Sequence, residues 1–410
     1  MIIQGDSLEK LKELESNSVD SIVTDPPYEL GFMGKKWDNS GIAYNKGMWA
    51  ECLRVLKPGG HLLAFGGTRT YHRMVVAIED AGFEIRDMIE WVYGSGFPKS
   101  LNIGKAFDKL QGNERELVGK TITNKTVYQR IGQENESGEI EITKGTSEWE
   151  GWGTALKPAH EPICMARKPL AEKTVAQNVL KYGTGGINID ESRVGTETRT
   201  NSKGDQSVEN KGWGMKSLKT EIKNYGRFPA NLIHDNSKEV RECFPETGKS
   251  KRMLMGRGGD DNGGNASHYF KSISQSEQDF KSLIYQAKAS KSERNRGCEN
   301  IEEKQTTGGG GLTADFREDG SLETASAGGK YGSIKAKQSN IHPTVKPIAL
   351  MEYLIKMVTP KGGIVLDPFT GSGTTLVAAK QNGFGYIGIE LTEEYIPIIY
   401  ARLGIEVPKF

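Results

Sequence analysis

GIVLDPFTGSGTT, residues 363–375, passes from an apolar, β-branched run through an acid and a proline into a glycine turn and a threonine pair. Gly363 to Leu366 reads as a strand and Thr374 to Asn382 as a helix, which leaves Asp367 at a strand's carboxyl end. In a doubly wound α/β sheet ligands bind there. Glycines admit a ligand close to the backbone, and the helix amino terminus offers free N–H groups. The turn is neither G-x-G-x-x-G nor a P-loop, since no lysine follows its last glycine, which disfavours dinucleotides and nucleoside triphosphates. Glu390 closes the next strand, Tyr386 to Glu390, where an acid can accept hydrogen bonds from both hydroxyls of a ribose.

Helices Ala349 to Val358 and Glu393 to Leu403 flank this unit, but it holds too few strands for a covered open sheet. The missing strands lie at the other end of the chain. Met1 to Gln4, Val19 to Thr24, His61 to Phe65 and Phe83 to Val92 read as strands. Helices are expected over SLEKLKELES, Asn45 to Leu56 and Thr70 to Ala81, with stops at Lys57-Pro58-Gly59-Gly60 and at Gly82. Ile163 to Met165, within EPICMARKP, suits one more strand. Strands alternating with helices at this spacing imply βαβ units and a mostly parallel sheet, here assembled from both ends of the chain. Between them, Tyr93 to Gly153 is polar with little periodicity. Glu172 to Asn340 is rich in Gly, Ser, Lys and Asn, with islands such as GRFPANLIHD and SLIYQAKASKSERNRG.

Composition narrows the class. A chain of 410 residues with a formal net charge of +1 carries no global basicity, so any nucleic-acid surface must be local. The four cysteines are scattered without a C-x-x-C pair, which argues against a zinc site or a disulfide framework and fits a reducing cytoplasm. No metal ligand set is expected. No signal peptide and no membrane-spanning run is visible.

TDPPYE, residues 24–29, follows the strand Val19 to Thr24 with an acid, two prolines and a tyrosine. Such a loop is ordinary rigid punctuation unless a partner site exists. Together DPPY, DPFTGSGTT and the intervening HPTVKP (His342 to Pro347) resemble the S-adenosylmethionine-dependent amino-methyltransferases of DNA. Their order matches the permuted β class of bacteria and phages. The resemblance covers about residues 1 to 100, 160 to 190 and 340 to 405. It implies a Rossmann-like α/β methyltransferase fold with a seven-stranded mixed sheet. Residues 1–192 and 341–410 would form the catalytic domain, and 193–340 an irregular, partly flexible target-recognition region. The cofactor would be S-adenosyl-L-methionine, the partner double-stranded DNA, and the location the cytoplasm.

The chemistry explains the stiff loop. An exocyclic amino group shares its lone pair with the base ring and must be drawn towards sp³ geometry to attack a sulfonium methyl. The Asp25 carboxylate and the Pro26 carbonyl supply two acceptors, held rigid by Pro26-Pro27, and Tyr28 offers a ring on which an extruded base can stack. By resemblance, Asp367, Pro368, Phe369, Gly371, Ser372 and Gly373 would cradle the cofactor, Glu390 its ribose, and Asp6 its adenine side. Asp6 reads equally well as the cap of the helix that follows. Thr344 and Lys346 would reach the cofactor carboxylate, or serve only as loop structure. Lys281, Lys288, Lys291, Arg294 and Arg296 form a local basic cluster suited to a phosphate backbone, or to a solvated loop. Asp at the first motif position favours adenine N6 over the alternative, cytosine N4. RNA methylation and a non-catalytic DNA-binding module are weaker alternatives. The recognition sequence, a homodimer and a restriction endonuclease partner are not written in any motif.

Overall fold

The structure, a computed structural model, describes residues 1–31, 36–94, 96, 100–122, 139–195, 198–202, 220–224, 226–247, 264–273, 289, 291–301, 304–307 and 335–407. One nine-stranded sheet organises it. Its strands are β1 (Ile2–Gln4), β2 (Val19–Thr24), β3 (Leu56–Phe65), β4 (Glu84–Val92), β5 (His160–Arg167), β6 (Leu232–His234), β7 (Lys271–Ser272), β8 (Ile364–Asp367) and β9 (Gly385–Glu390). Their spatial order is β1-β9-β8-β2-β3-β5-β4-β6-β7. Only β5 runs against the others, because its pairings with β3 and β4 are antiparallel while the rest are parallel.

Among the described residues the α-helices of six or more residues are α1 (Ser7–Lys12), α2 (Lys46–Val55), α3 (Tyr71–Asp80), α4 (Ile103–Gln111), α5 (Val175–Tyr182), α6 (Ile348–Val358), α7 (Thr374–Gln381) and α8 (Ile396–Leu403). Successive strand residues point to opposite faces, so the central strands feed two cores. Val23, Leu63, Phe65, Ile163 and Met165 meet Leu350, Leu354 and Met357 of α6 and Leu376 of α7 on one face. Ile22, Leu62, Ala64 and Cys164 meet Trp49 and Cys52 of α2 and Ile78 of α3 on the other. Both faces being covered explains why every residue of β2 is buried and why Leu62 to Phe65 of β3 is continuously apolar.

Strand β2 and strand β8 are neighbours, with Leu366 opposite Ile22. From that joint the chain winds outward in opposite directions, β2 to β3 on one side and β8 to β9 on the other. A crevice therefore opens at their carboxyl ends.

The expected α/β class holds, while the strand count is nine and not seven. The extra pair is β6 and β7. β6 comes from the GRFPANLIHD island and joins the catalytic sheet through Ile233 opposite Trp91. The Lys57–Gly60 segment, expected to be a turn, lies within β3. Pairing steps from Val19–Leu56 to Ser21–His61, so the segment bulges without ending the strand. Asn178 Nδ2 (2.8 Å) and Thr184 Oγ1 (2.6 Å) both donate to the Pro58 carbonyl and hold the bulge. The polar Tyr93 to Gly153 stretch contains α4, capped by the Asn102 side chain, and an antiparallel pair, Glu116–Ile122 with Glu139–Lys144. Much of 193–340 lies outside the described residues, and with it the expectation of flexibility there.

Candidate active site

A cleft of about 1280 Å³ opens at the carboxyl ends of β2, β8 and β9. Its lining includes Asp6, Asp25, Pro26, Pro27, Tyr28, Thr344, Lys346, Asp367, Pro368, Phe369, Gly371, Ser372 and Glu390. Of the cofactor turn expected from sequence, only Gly373 sits just behind the wall. A pocket for a single small ligand occupies roughly 300–1,000 Å³, so this cleft accommodates two reactants side by side.

One half is built on the DPFTGSG turn. Asp367 is buried, and its Oδ1 accepts from Thr24 Oγ1 at 2.6 Å and from Phe369 N at 3.1 Å. Burial pushes its carboxyl up to about 6 against those hydrogen bonds. Glu390 accepts from Gly371 N and Thr392 N, both at 2.7 Å, and burial pushes it up to about 7. Gly371 has φ +55°, and a Cβ there would sit 2.7 Å from His342 Nε2, so the turn has room only for glycine. The buried Arg402 of α8 fastens the turn from behind. Its Nη1 donates to Ser372 O (2.9 Å), Ser372 Oγ (2.9 Å) and Thr374 Oγ1 (3.0 Å). Phe369 leans edge-on against Trp49, with ring centroids 6.4 Å apart. Ser7 Oγ donates to Pro368 O at 2.5 Å. Asp6 caps α1, accepting on Oδ1 from Leu8 N (3.0 Å) and Glu9 N (3.2 Å), and it also borders the cleft.

The other half is built on the DPPY loop. Asp25 Oδ1 is buried and accepts no hydrogen bond among the described residues, an expensive state for a carboxylate oxygen unless a donor arrives from the cleft. Its Oδ2 is ion-paired with the Lys346 ammonium. Lys346 is buried, and burial lowers its pKa while Asp25 opposes that shift. The loop beyond Tyr28 is clamped by the buried Asp38, which accepts from Glu29 N (3.0 Å) and Leu30 N (3.3 Å). Thr70 Oγ1 holds the Tyr28 carbonyl at 2.7 Å. The Tyr28 hydroxyl donates to Glu161 Oε2 at 3.1 Å. Burial first, then Asp25, raises its pKa well above the ordinary phenol value, so it stays protonated as a donor.

Two placements differ from the sequence reading. Lys346 faces the Asp25 carboxylate and not the glycine turn, because the HPTVKP loop borders the cleft before entering α6. Arg294 is buried and turned inward. Its Nη2 donates to His342 O at 2.5 Å, and Asn340 Nδ2 donates to the Arg294 carbonyl at 2.7 Å. It therefore braces that loop and presents no charge to a phosphate. Arg296 is exposed, as a phosphate contact requires. Lys281 and Lys288 lie outside the described residues, as does the Lys291 side chain. Glu161, Tyr93 and Arg402 went unnoticed in sequence, Glu161 because EPICMARKP reads simply as a strand. His342, packed against Tyr395 and pushed down to about 4 by burial, is neutral and structural.

Among the described residues no group of His, Cys, Asp and Glu could hold a metal ion, and no helix is long and apolar enough to cross a membrane.

Comparison with known proteins places the chain among DNA methylases. A family model described as DNA methylase (N6/N4 type) matches residues 19–401. Type II methyltransferase M.HindIII of Haemophilus influenzae is 22% identical over 448 aligned positions, covering 99% of this chain and 95% of that protein. Type II methyltransferase M2.DpnII of Streptococcus pneumoniae is 47% identical over 70 residues, 17% of this chain and 26% of its own length. Among solved structures, the M1.HpyAVI–SAM complex shares 16% identity at a TM-score of 0.38, covering 99% of both chains. PvuII DNA methyltransferase (cytosine-N4-specific) shares 14% at a TM-score of 0.43, over 98% of this chain and 85% of that one.

Proposed function

The chain belongs to the N6/N4 DNA methylase family, and we propose that it methylates the N6 amino group of adenine at a specific site in double-stranded DNA. The observation that carries this reading is the buried Oδ1 of Asp25, unpartnered among the described residues and set in the same cleft as Asp367 and Glu390. A hydrogen-bond acceptor with no internal donor, next to a cofactor turn, is what an incoming amino group requires. The choice of adenine rests on Asp at the head of the DPPY motif.

S-adenosylmethionine supplies the methyl group as an electrophilic sulfonium. Glu390 would take the ribose hydroxyls, while Phe369, Asp367 and the glycine turn border the methionine side. The residues present fit this group: the Glu390 carboxylate and the Phe369 ring border the same cleft beside the glycine turn. On the other side Asp25 Oδ1 and the Pro26 carbonyl accept the two amino hydrogens and turn the nitrogen lone pair out of the ring. Tyr28 gives the extruded base a face to stack on, since the amino group is unreachable within a duplex. Asp25 and water would take the one proton that the methylated, cationic nitrogen must lose. Residues 193–340 serve target recognition, a role supported by their position between the two motif halves and by the exposed Arg296.

The test is transfer of a tritiated methyl group from S-adenosylmethionine to unmodified bacterial DNA, followed by digestion to nucleosides. Label in N6-methyldeoxyadenosine is the expected result. Label in N4-methyldeoxycytidine would change the base, and label only in an RNA control would end the DNA reading.

A further inference from the structure

We infer that Glu161 is a positioning residue for methyl transfer: it anchors Lys346 so that Asp25 presents Oδ1, and only Oδ1, to the target amino group. This rests on the reading of Asp25 as the acceptor, and it extends the site to a strand that neither motif contains.

Four separate segments build the arrangement. Glu161 opens the antiparallel strand β5, Lys346 lies in the loop before α6, Tyr28 follows β2, and Tyr93 follows β4. Glu161 and Lys346 are each only 4% exposed, so neither charge is relieved by solvent. Lys346 Nζ is bonded to Asp25 Oδ2, donates to the Tyr28 hydroxyl at 3.2 Å, and stands 3.6 Å from Glu161 Oε2. The three ammonium protons thus each face an oxygen. The faces of Phe65 (4.6 Å) and Tyr28 (5.3 Å) close the remaining sides of the ammonium. Glu161 is itself fixed, accepting on Oε2 from Tyr28 OH at 3.1 Å and on Oε1 from Tyr93 OH at 3.4 Å.

A carboxylate can present either oxygen by rotating about its last torsion. Here one oxygen is tied to a cation that is tied in turn to a second carboxylate, so rotation is blocked and the free oxygen has one direction. Asp25 alone cannot hold a buried lysine rigidly, because a single ion pair leaves the ammonium two further protons to place. Glu161 supplies the opposing charge. Glu161 borders the cleft, but both its oxygens already accept hydrogen bonds from Tyr28 and Tyr93, so it acts through Lys346.

Glu161→Gln keeps the shape and the acceptor for Tyr93 but removes the charge. The expected result is a fall in kcat of roughly 100-fold, the cost of misplacing a catalytic group by about 1 Å. The KM for DNA and the affinity for S-adenosylhomocysteine should stay within about twofold. Glu161→Asp, which keeps the charge, should recover most of the loss. The double variant Glu161→Gln/Lys346→Met should be no slower than Lys346→Met alone, since both residues act through one chain of contacts. Wild-type transfer to DNA is measured first, and its absence would dispose of the functional reading and not of this inference. Given active wild-type protein, normal kcat in Glu161→Gln, equal loss in the Asp and Gln variants, or fully additive loss in the double variant would each overturn it. Should Glu161→Gln fail to bind S-adenosylhomocysteine, the comparison of Glu161→Asp with wild type and Lys346→Met decides: an Asp variant as slow as Lys346→Met overturns the proposal.

Discussion

Thr24 Oγ1 donates to Asp367 Oδ1 at 2.6 Å, joining the last residue of β2 to the last residue of β8. The bond crosses the joint at which the two motif loops diverge, so the loops share one foundation. It also opposes the burial that pushes Asp367 up to about 6. Thr24→Val keeps the volume and removes the donor. It should cost about 1–3 kcal/mol of stability and weaken S-adenosylhomocysteine binding, which thermal melts and calorimetry would register. An unchanged affinity would show that Asp367 needs no support from β2.

Asp25→Asn and Asp367→Ala should separate the two halves of the cleft. The first removes the free acceptor for the amino group and should abolish methyl transfer while leaving S-adenosylhomocysteine affinity within a few-fold. The second should lose that affinity outright. If Asp25→Asn lost cofactor affinity as severely as Asp367→Ala, the division between catalytic and cofactor loops would be wrong.

Glu390 gives a pH signature with two opposite signs. Burial raises it from the ordinary 4.5 to about 7 in the folded chain. A raised folded value means its contribution to folding is fully present below about 4.5 and is lost as pH climbs through 7. The ligand-free protein should therefore lose stability from this group between those limits. Ribose hydroxyls need the ionised carboxylate, so S-adenosylhomocysteine affinity should instead rise over the same range, by at most about tenfold per pH unit. Thermal melts of the ligand-free protein and titration calorimetry across that range would show the two trends in turn, and Glu390→Gln should flatten both.

Gly371→Ala sets a side chain against His342 Nε2 in a left-handed backbone conformation. His342 cannot retreat easily, because its ring rests on Tyr395 with centroids 4.7 Å apart. The variant should fold but bind S-adenosylhomocysteine at least tenfold more weakly, a loss of about 1.4 kcal/mol or more. Near-normal binding would mean that the turn can open.

Arg294→Ala and Arg296→Ala, two residues apart, should behave differently. Removing Arg294 unpins the His342 carbonyl and should lower the melting temperature without changing how DNA binding depends on salt. Removing Arg296 should leave stability alone and reduce the slope of log K against log salt by about 1. Filter binding at several salt concentrations would tell them apart. A reduced slope in Arg294→Ala would restore it to the DNA surface.

Much of this fold can be read from short-range signals. Leu62 to Phe65 and Ile364 to Leu366 are recognisable because strands buried on both faces need unbroken apolar runs. Asp25, Asp367 and Glu390 are recognisable because each is an acid that closes such a run. What escapes depends on partners distant in sequence. Pro58 to Gly60 has the composition of a turn, and partners distant in sequence, Lys168, Asn178 and Thr184, hold it as a bulge. Arg294 lies in a basic run that looks solvated, and its burial is set by Asn340 and His342. Glu161 looks like any strand-initiating acid until Lys346, Tyr28 and Tyr93 converge on it.

The joint between β2 and β8 also imposes a schedule. Thr24 and Asp367 are 343 residues apart in the chain. At about 5–20 residues per second of synthesis, the first waits between roughly 17 and 70 s for the second. During that interval β2 has an unpaired edge and Val23 and Phe65 lack α6 above them, while Asp25 lacks Lys346. A nascent polypeptide that has not yet reached Lys346 and Asp367 therefore carries its DPPY loop without the cation and the neighbouring strand that complete the cleft.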